Sequence, residues 1–295
     1  MAQRNGGTPS LAGAVAQIDW SLPWYRPFAG TGAALAGALQ AGADLRAALG
    51  ELSARQGLRN ARGLPLRFVP QDALPAGTAY EAHIFASGAV PTRDNLHDFF
   101  NALVWLHFPQ AKRALNRLQA GAIAAAGVQG RRGGLRDAAT LFDENAILFL
   151  SADGSLESAL RGFAWETLFV ARRADWGGGA GEGARCAVVP FGHALLEKLA
   201  RPYKALTAHA WPLGVPPCAG GELPGTLDAA VAASLEGTGP SGLPDMPRMP
   251  DRRLSSRHFA PLPVLGIPGW CDANRDPAFY ADAGVFRPGR RAAAA

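Results

Sequence analysis

The stretch DNLHDFFNALVWLHFP, residues 94–109, constrains this chain more than any other. Asp94 or Asn95 offers an N-cap, and Pro109 suits the first turn of a following helix, so the spacing predicts one helix over 96–107 and a second over 110–126. At 100° per residue, Leu96, Phe99, Phe100, Leu103, Val104 and Leu106 form a wide apolar face. A helix apolar around most of its circumference is packed deep inside a protein. His107 projects near the centre of the apolar face and reads as a core histidine. His97 and Asn101, four residues apart, share the remaining narrow polar arc with Asp98.

That arc has two readings. It can face water, with Asp98 favoured at a helix N-terminus. It can also form the wall of a cleft, with His97 as general base or metal ligand and Asp98 or Asn101 orienting it. The next helix aligns Lys112 and Asn116, again four apart. They form either a solvated stripe or, beside His97, a cation and an amide for an anionic substrate.

Further along, AATLF and AILFLS flank DEN and read as a β-hairpin, with Asp143 and Glu144 at its tip. Such paired acids suit either local turn bonding or a hard metal ion. GHALLEK places His193 and Glu197 on one helical face, at a spacing that suits two metal ligands or an imidazole with its orienting acid. It lacks the second histidine of the zinc-protease HExxH pattern. His209 in LTAHAW is a possible third ligand or a core residue. Arg131, Arg132 and Arg136 lie in a glycine-rich loop suited to phosphate or carboxylate, or to simple exposure. Gathered together, His97, Asp98, Asn101, His193 and Glu197 are the catalytic candidates. Lys112, Asn116 and Arg136 are the substrate-binding candidates, and His193, Glu197, His209, Asp143 and Glu144 are the candidate ligands for a divalent metal.

Other chemistries find no support. No GxGxxG follows a strand, and GxxxxGK[ST] and GxSxG are absent, which argues against dinucleotide, P-loop and serine-hydrolase sites. His83, His97-Asp98 and Asp137 imitate the order of a metal phosphohydrolase. Those sites are built on helices, however, and TAYEAHIFASG around His83 reads as a strand. Three scattered cysteines without CxxC give no zinc ribbon and suit a reducing, cytoplasmic setting. No apolar run is long enough to span a membrane. A net charge of +5 over 295 residues is too small to argue for nucleic acid.

The expected architecture is α+β, a single compact domain over 16–286 with a small mixed or antiparallel sheet packed by helices. LPLRFVP, RCAVVPF and AILFLS supply strands. Trp20, Trp24 and Phe28 are expected to bury on the body, and Gly42 and Asp44 to separate two helices. Residues 1–15 and 287–295 read as flexible ends. Residues 212–286, dense in proline and glycine, are expected to wrap the body.

TRDNLHDFFNALVWLHFPQAK, RDAATLFDEN, GHALLEK, LTAH and LPVLGIPGW…FY…VFRP together resemble one bacterial family, domain of unknown function 3025. The resemblance runs from about residue 18 to about 288. It implies no established activity and no catalytic roles. The expectation from the residues themselves is hydrolysis of a small anionic, phosphate-containing substrate, with or without the assistance of a metal. The alternatives are a non-catalytic module binding an anion, a protein or nucleic acid, and a structural protein with a buried polar network.

Overall fold

The computed structural model describes residues 10–126, 133–177, 183–217, 225–237 and 254–289. The architecture is α+β, and its core is organised around one helix. That helix, α5 (Leu96–His107), is buried at every position from Asp98 to Leu106. The Asn95 side chain caps it by accepting from the Asp98 amide at 2.8 Å. Tyr25 stacks on Phe100 with ring centroids 5.7 Å apart, and the Trp20 ring lies against Phe99 and Phe100. The aromatic segment near the N-terminus is thereby buried on α5. Residues 10–15 depart from the expected flexible end: α1 (Leu11–Val15) buries Leu11 and Val15. Helices α2 (Ala29–Gln40) and α3 (Leu45–Arg55) follow, and Asp44 caps α3.

Two short strands, β1 (Arg67–Val69) and β2 (Ala89–Pro91), pair in parallel. The segment between them corrects the reading of a strand. TAYEAHIFASG forms α4 (Tyr80–Ser87), closed by Gly88 in the left-handed region at φ 71°. A Cβ at Gly88 would lie 2.5 Å from the Pro65 carbonyl oxygen, so glycine is required there twice over. His83 is therefore helical.

Helix α6 (Pro109–Ala126) starts where Pro109 predicts. The second correction concerns AATLF, which belongs to α7 (Gly134–Asn145) and forms no hairpin. Ala138, Ala139 and Phe142 recur at helical spacing and are buried, so the helical period wins over the short apolar run. Asp143 and Glu144 sit on the last turn of this helix, directly before β3 (Ala146–Ser151). That strand is buried at all positions and lies inside a four-stranded mixed sheet ordered β4-β3-β5-β6. β4 (Cys186–Pro190) runs antiparallel to β3, β5 (Thr207–Leu213) parallel to β3, and β6 (Ala260–Pro263) antiparallel to β5. Between them, α8 (Gly154–Arg161) is capped by Asp153, whose carboxylate accepts from the Ser155 amide at 2.9 Å.

The region 212–286 does more than wrap the body. Its first residues complete β5, α10 (Leu227–Leu235) packs on α6, and β6 forms one edge of the sheet. The Asp228 carboxylate at the start of α10 accepts from the Gln110 and Ala111 amides, capping α6 from another helix. Within the nominal tail, the Arg287 carbonyl accepts from the Trp165 indole at 2.7 Å. Residues 1–9 and 290–295 lie outside the described residues. Among the described residues, no helix is long and apolar enough to cross a membrane.

Candidate functional site

The first turn of α5, the last turn of α7 and α9 (His193–Lys198) meet beside a cleft of about 460 Å³. A glycine brings α9 into place. A Cβ on Gly192 would lie 2.5 Å from the Glu144 carbonyl oxygen and the Asn145 amide nitrogen, so only glycine lets α9 start against the α7–β3 corner. The Gly192 amide donates to the Ala146 carbonyl at 2.8 Å there. This contact sets His193 beside Asp143 and Glu144. The Tyr25 hydroxyl, donating to the Leu196 carbonyl at 2.8 Å, holds the other end of α9.

At the centre, His97 Nε2 and His193 Nε2 are 3.1 Å apart. Only the His97 ring is hydrogen-bonded to a carboxylate behind it; the buried His193 Nδ1 makes no hydrogen bond among the described residues. Glu197 Oε2 lies 3.1 Å from His97 Nδ1, and Asp143 Oδ2 lies 3.9 Å from His193 Nδ1. Glu144 Oε2 stands in front, 4.0 Å from His97 Nε2 and 3.7 Å from His193 Nε2. His97, Glu144 and His193 form a group that can hold a metal ion, with ligand atoms all within 4.8 Å of one another. Two nitrogens on one tetrahedral ion at about 2.0–2.1 Å sit about 3.3 Å apart, close to the separation here. The same contact also suits an N–H···N hydrogen bond between two neutral tautomers.

The electrostatics favour a neutral, ligand-competent His193. Burial lowers its pKa to about 4, with the neighbouring Lys112 and His97 acting in the same sense and Asp143 opposing them. Burial raises the Glu144 carboxyl. Burial, the largest single influence, would raise Asp143 as well, but Lys112, His193 and His97 together outweigh it and the carboxyl lies below its usual range.

The roles expected for Asp98, Asn101 and Lys112 need correction. Asp98 does not orient His97: its carboxylate accepts from the Arg93 amide at 2.6 Å and from the Arg93 guanidinium at 2.9 and 3.0 Å. Asn101 bonds to the Tyr80 hydroxyl and to Lys112, and neither bond reaches His97. Glu197 takes the orienting place. Lys112 is not a cation at the rim. Its ammonium is buried, donating to Asp143 at 2.5 Å and Asn101 at 2.9 Å, 5.3 Å from the Trp105 ring centroid. Leaving either charge alone there would be costly, so the pair persists as a unit. Asn116 is buried and clamps Glu81, donating to its carbonyl at 2.9 Å and to Oε2 at 2.6 Å. Arg136 lines the cleft. His209 stands apart from the histidine pair, on β5 with its ring facing Phe259. Arg131 and Arg132 lie outside the described residues.

The sequence reading missed Arg93, Tyr80 and Glu81, which also line the cleft. The Gly88 stop signal marks TAYEAHIFAS as a helix, and that would have turned Tyr80 and Glu81 toward the cleft. Nothing local marks Arg93 except Asp98 five residues on.

Fold and site together define an α+β protein in which the central helix, α7 and α9 bring a two-histidine, one-carboxylate cluster to a cleft. The chain belongs to the family described as "Protein of unknown function (DUF3025)", which matches residues 66–290 and so contains every residue of the cluster. No curated protein and no solved structure gives a significant match.

Proposed function

We propose that this protein is a metal-dependent hydrolase acting on a small anionic, phosphate-containing substrate. The observation that carries the reading is the 3.1 Å approach of two imidazole Nε2 atoms, with the Glu197 carboxylate hydrogen-bonded behind His97 Nδ1 and Glu144 in front of both rings. A carboxylate bonded behind a metal-bound histidine fixes the ring and its tautomer, the place that Glu197 takes for His97. With Glu144, the donor set is two nitrogens and an oxygen, a set that suits a zinc-class ion and leaves a fourth position for water. A bound ion lowers the pKa of that water and supplies a nucleophile at neutral pH. His193 is only 5% exposed, whereas His97 and Glu144 are 31% and 40% exposed, so the cluster is anchored at the back and open at the front. Arg93 and Arg136 on the cleft wall supply guanidinium groups for an oxyanion. A purely structural role suits Tyr80, Asn101, Lys112 and Asp143, whose bonds form a closed chain. It does not account for three ligand atoms turned toward one open cleft. The three scattered cysteines suit such an enzyme working in the cytoplasm.

The test is metal analysis of purified protein, followed by a phosphatase and nuclease screen of wild type against His97→Ala and His193→Ala. One zinc-class ion per chain is expected in the wild type. Each variant should lose metal affinity and activity by about 100-fold or more. Metal content and activity that match wild type in both variants would sink the reading.

A further inference from the structure

The cleft wall holds a carboxyl group that the metal reading leaves without a task. Among the described residues, four carboxyls line the cleft: Glu81, Asp98, Asp143 and Glu144. Asp98 is occupied by Arg93, Asp143 by Lys112, and Glu144 faces the two imidazoles. Glu81 differs, because the side chain bonded to it is the neutral amide of Asn116. That amide grips the same residue at both its carbonyl and Oε2, from a position on α6 that is itself only 1% exposed. The side chain of Glu81 is thus held in one orientation without being neutralised by a cation.

We propose that Glu81 is the general acid of this site, delivering a proton to the leaving oxygen of the substrate. The proposal rests on the hydrolase reading above and gives that reading its second catalytic group. In the step, water adds to the electrophilic centre while the bond to the leaving oxygen breaks. The leaving oxygen keeps the bonding pair, takes the Glu81 proton and departs as an alcohol. The Glu81 carboxylate regains a proton from solvent, matching the one that the attacking water gives up. Burial supports this role. It pushes the Glu81 carboxyl up to about 7, with Asp143 adding to the effect and Lys112 and Asn116 opposing it. An acid with a pKa near the working pH combines a held proton with the drive to transfer it.

The experiment compares zinc-loaded wild type, Glu81→Gln and Glu81→Asp on phosphate esters graded from nitrophenyl to alkyl leaving groups. Metal content is measured on each protein. An alkoxide needs a proton to leave far more than a nitrophenolate does. The Glu81→Gln loss should therefore grow along the series, smallest on the nitrophenyl ester and about 100-fold or more on the alkyl ester. Equal fractional losses across the series, or none, overturn the proposal while leaving the hydrolase reading intact. Should Glu81→Gln fail to fold, Glu81→Asp carries the test. Its acid is withdrawn by one methylene and must also lose more on alkyl than on nitrophenyl esters, and a uniform loss again overturns the assignment. Zinc-loaded wild type that turns over none of the esters defeats the hydrolase reading itself and this role with it.

Discussion

His97 and His107 sit ten residues apart on one helix and meet opposite environments. His107 lies edge-on to the Phe28 ring, with centroids 5.1 Å apart, and its buried Nε2 has no hydrogen-bond partner among the described residues. Burial lowers its pKa to about 4 from 6.5. The unfolded chain therefore takes up a proton at this residue as the pH falls below about 6.5, and the folded chain does not until about 4. The stability contribution is complete above 6.5 and is lost as the pH falls through that window, amounting to at most about 3 kcal/mol. His193 titrates in the same sense, so only a difference between proteins isolates His107. Urea denaturation at pH 7.5 and pH 4.5 should show wild type losing about 2–3 kcal/mol more than His107→Met. Identical losses would remove the residue from the account. The helical projection alone marks His107 as core, because its surroundings are set by its own helix. The partners of His97 lie about 50 and 100 residues downstream, and no local spacing encodes such a meeting. The sequence could nominate His193, Glu197 and Glu144 but could not join them.

At the scale of elements, the site depends on one corner, where α7 ends, β3 begins and α9 starts against them. Reading AATLFDENAILFLS as a hairpin failed because five apolar or small residues do not distinguish a short strand from one turn of helix. The acids survived the error, since a hairpin tip and a helix end both place them at the end of an element. TAYEAHIFASG failed for a similar reason, and its Gly88 stop signal was the better guide. Helix α5 was legible end to end, because cap, period and following proline all agree. The close approach at Gly192 was not legible, since glycine before a helix has many uses. It yields a sharp prediction. In Gly192→Ala the new Cβ meets three backbone atoms of the 144–146 stretch at 2.5–2.6 Å, and backbone cannot rotate away as a side chain can. The substitution should cost about 1–3 kcal/mol by overpacking. Because α9 carries His193, it should also weaken zinc binding. Thermal melts and a zinc titration check the two effects, and a variant that binds zinc as wild type does would show that α9 docking does not set the cluster.

For the whole molecule, the charge balance of the site opposes that of the chain. The chain carries a net +5, yet the site gathers Asp98, Asp143, Glu144, Glu197 and the partly protonated Glu81 against Arg93, Lys112 and Arg136. Two of those cations are already committed, Lys112 to Asp143 and Arg93 to Asp98. An anion entering this cleft without a metal meets a surplus of carboxylates. With a divalent ion on His97, Glu144 and His193, the same cleft becomes receptive, and the Arg93 side chain, 55% exposed, keeps Nη1 clear of Asp98 to donate to an oxyanion. Metal and anion binding should therefore be coupled, and coupling is reciprocal. Calorimetric titration with inorganic phosphate should give an affinity at least about ten-fold higher for zinc-loaded than for metal-free protein, about 1.4 kcal/mol of coupling. Saturating phosphate should tighten zinc binding by the same factor. Arg93→Gln should lower phosphate affinity while leaving zinc stoichiometry at one. Phosphate affinity that is the same with and without zinc would break the link between the cluster and the cleft, even if both ligands bind.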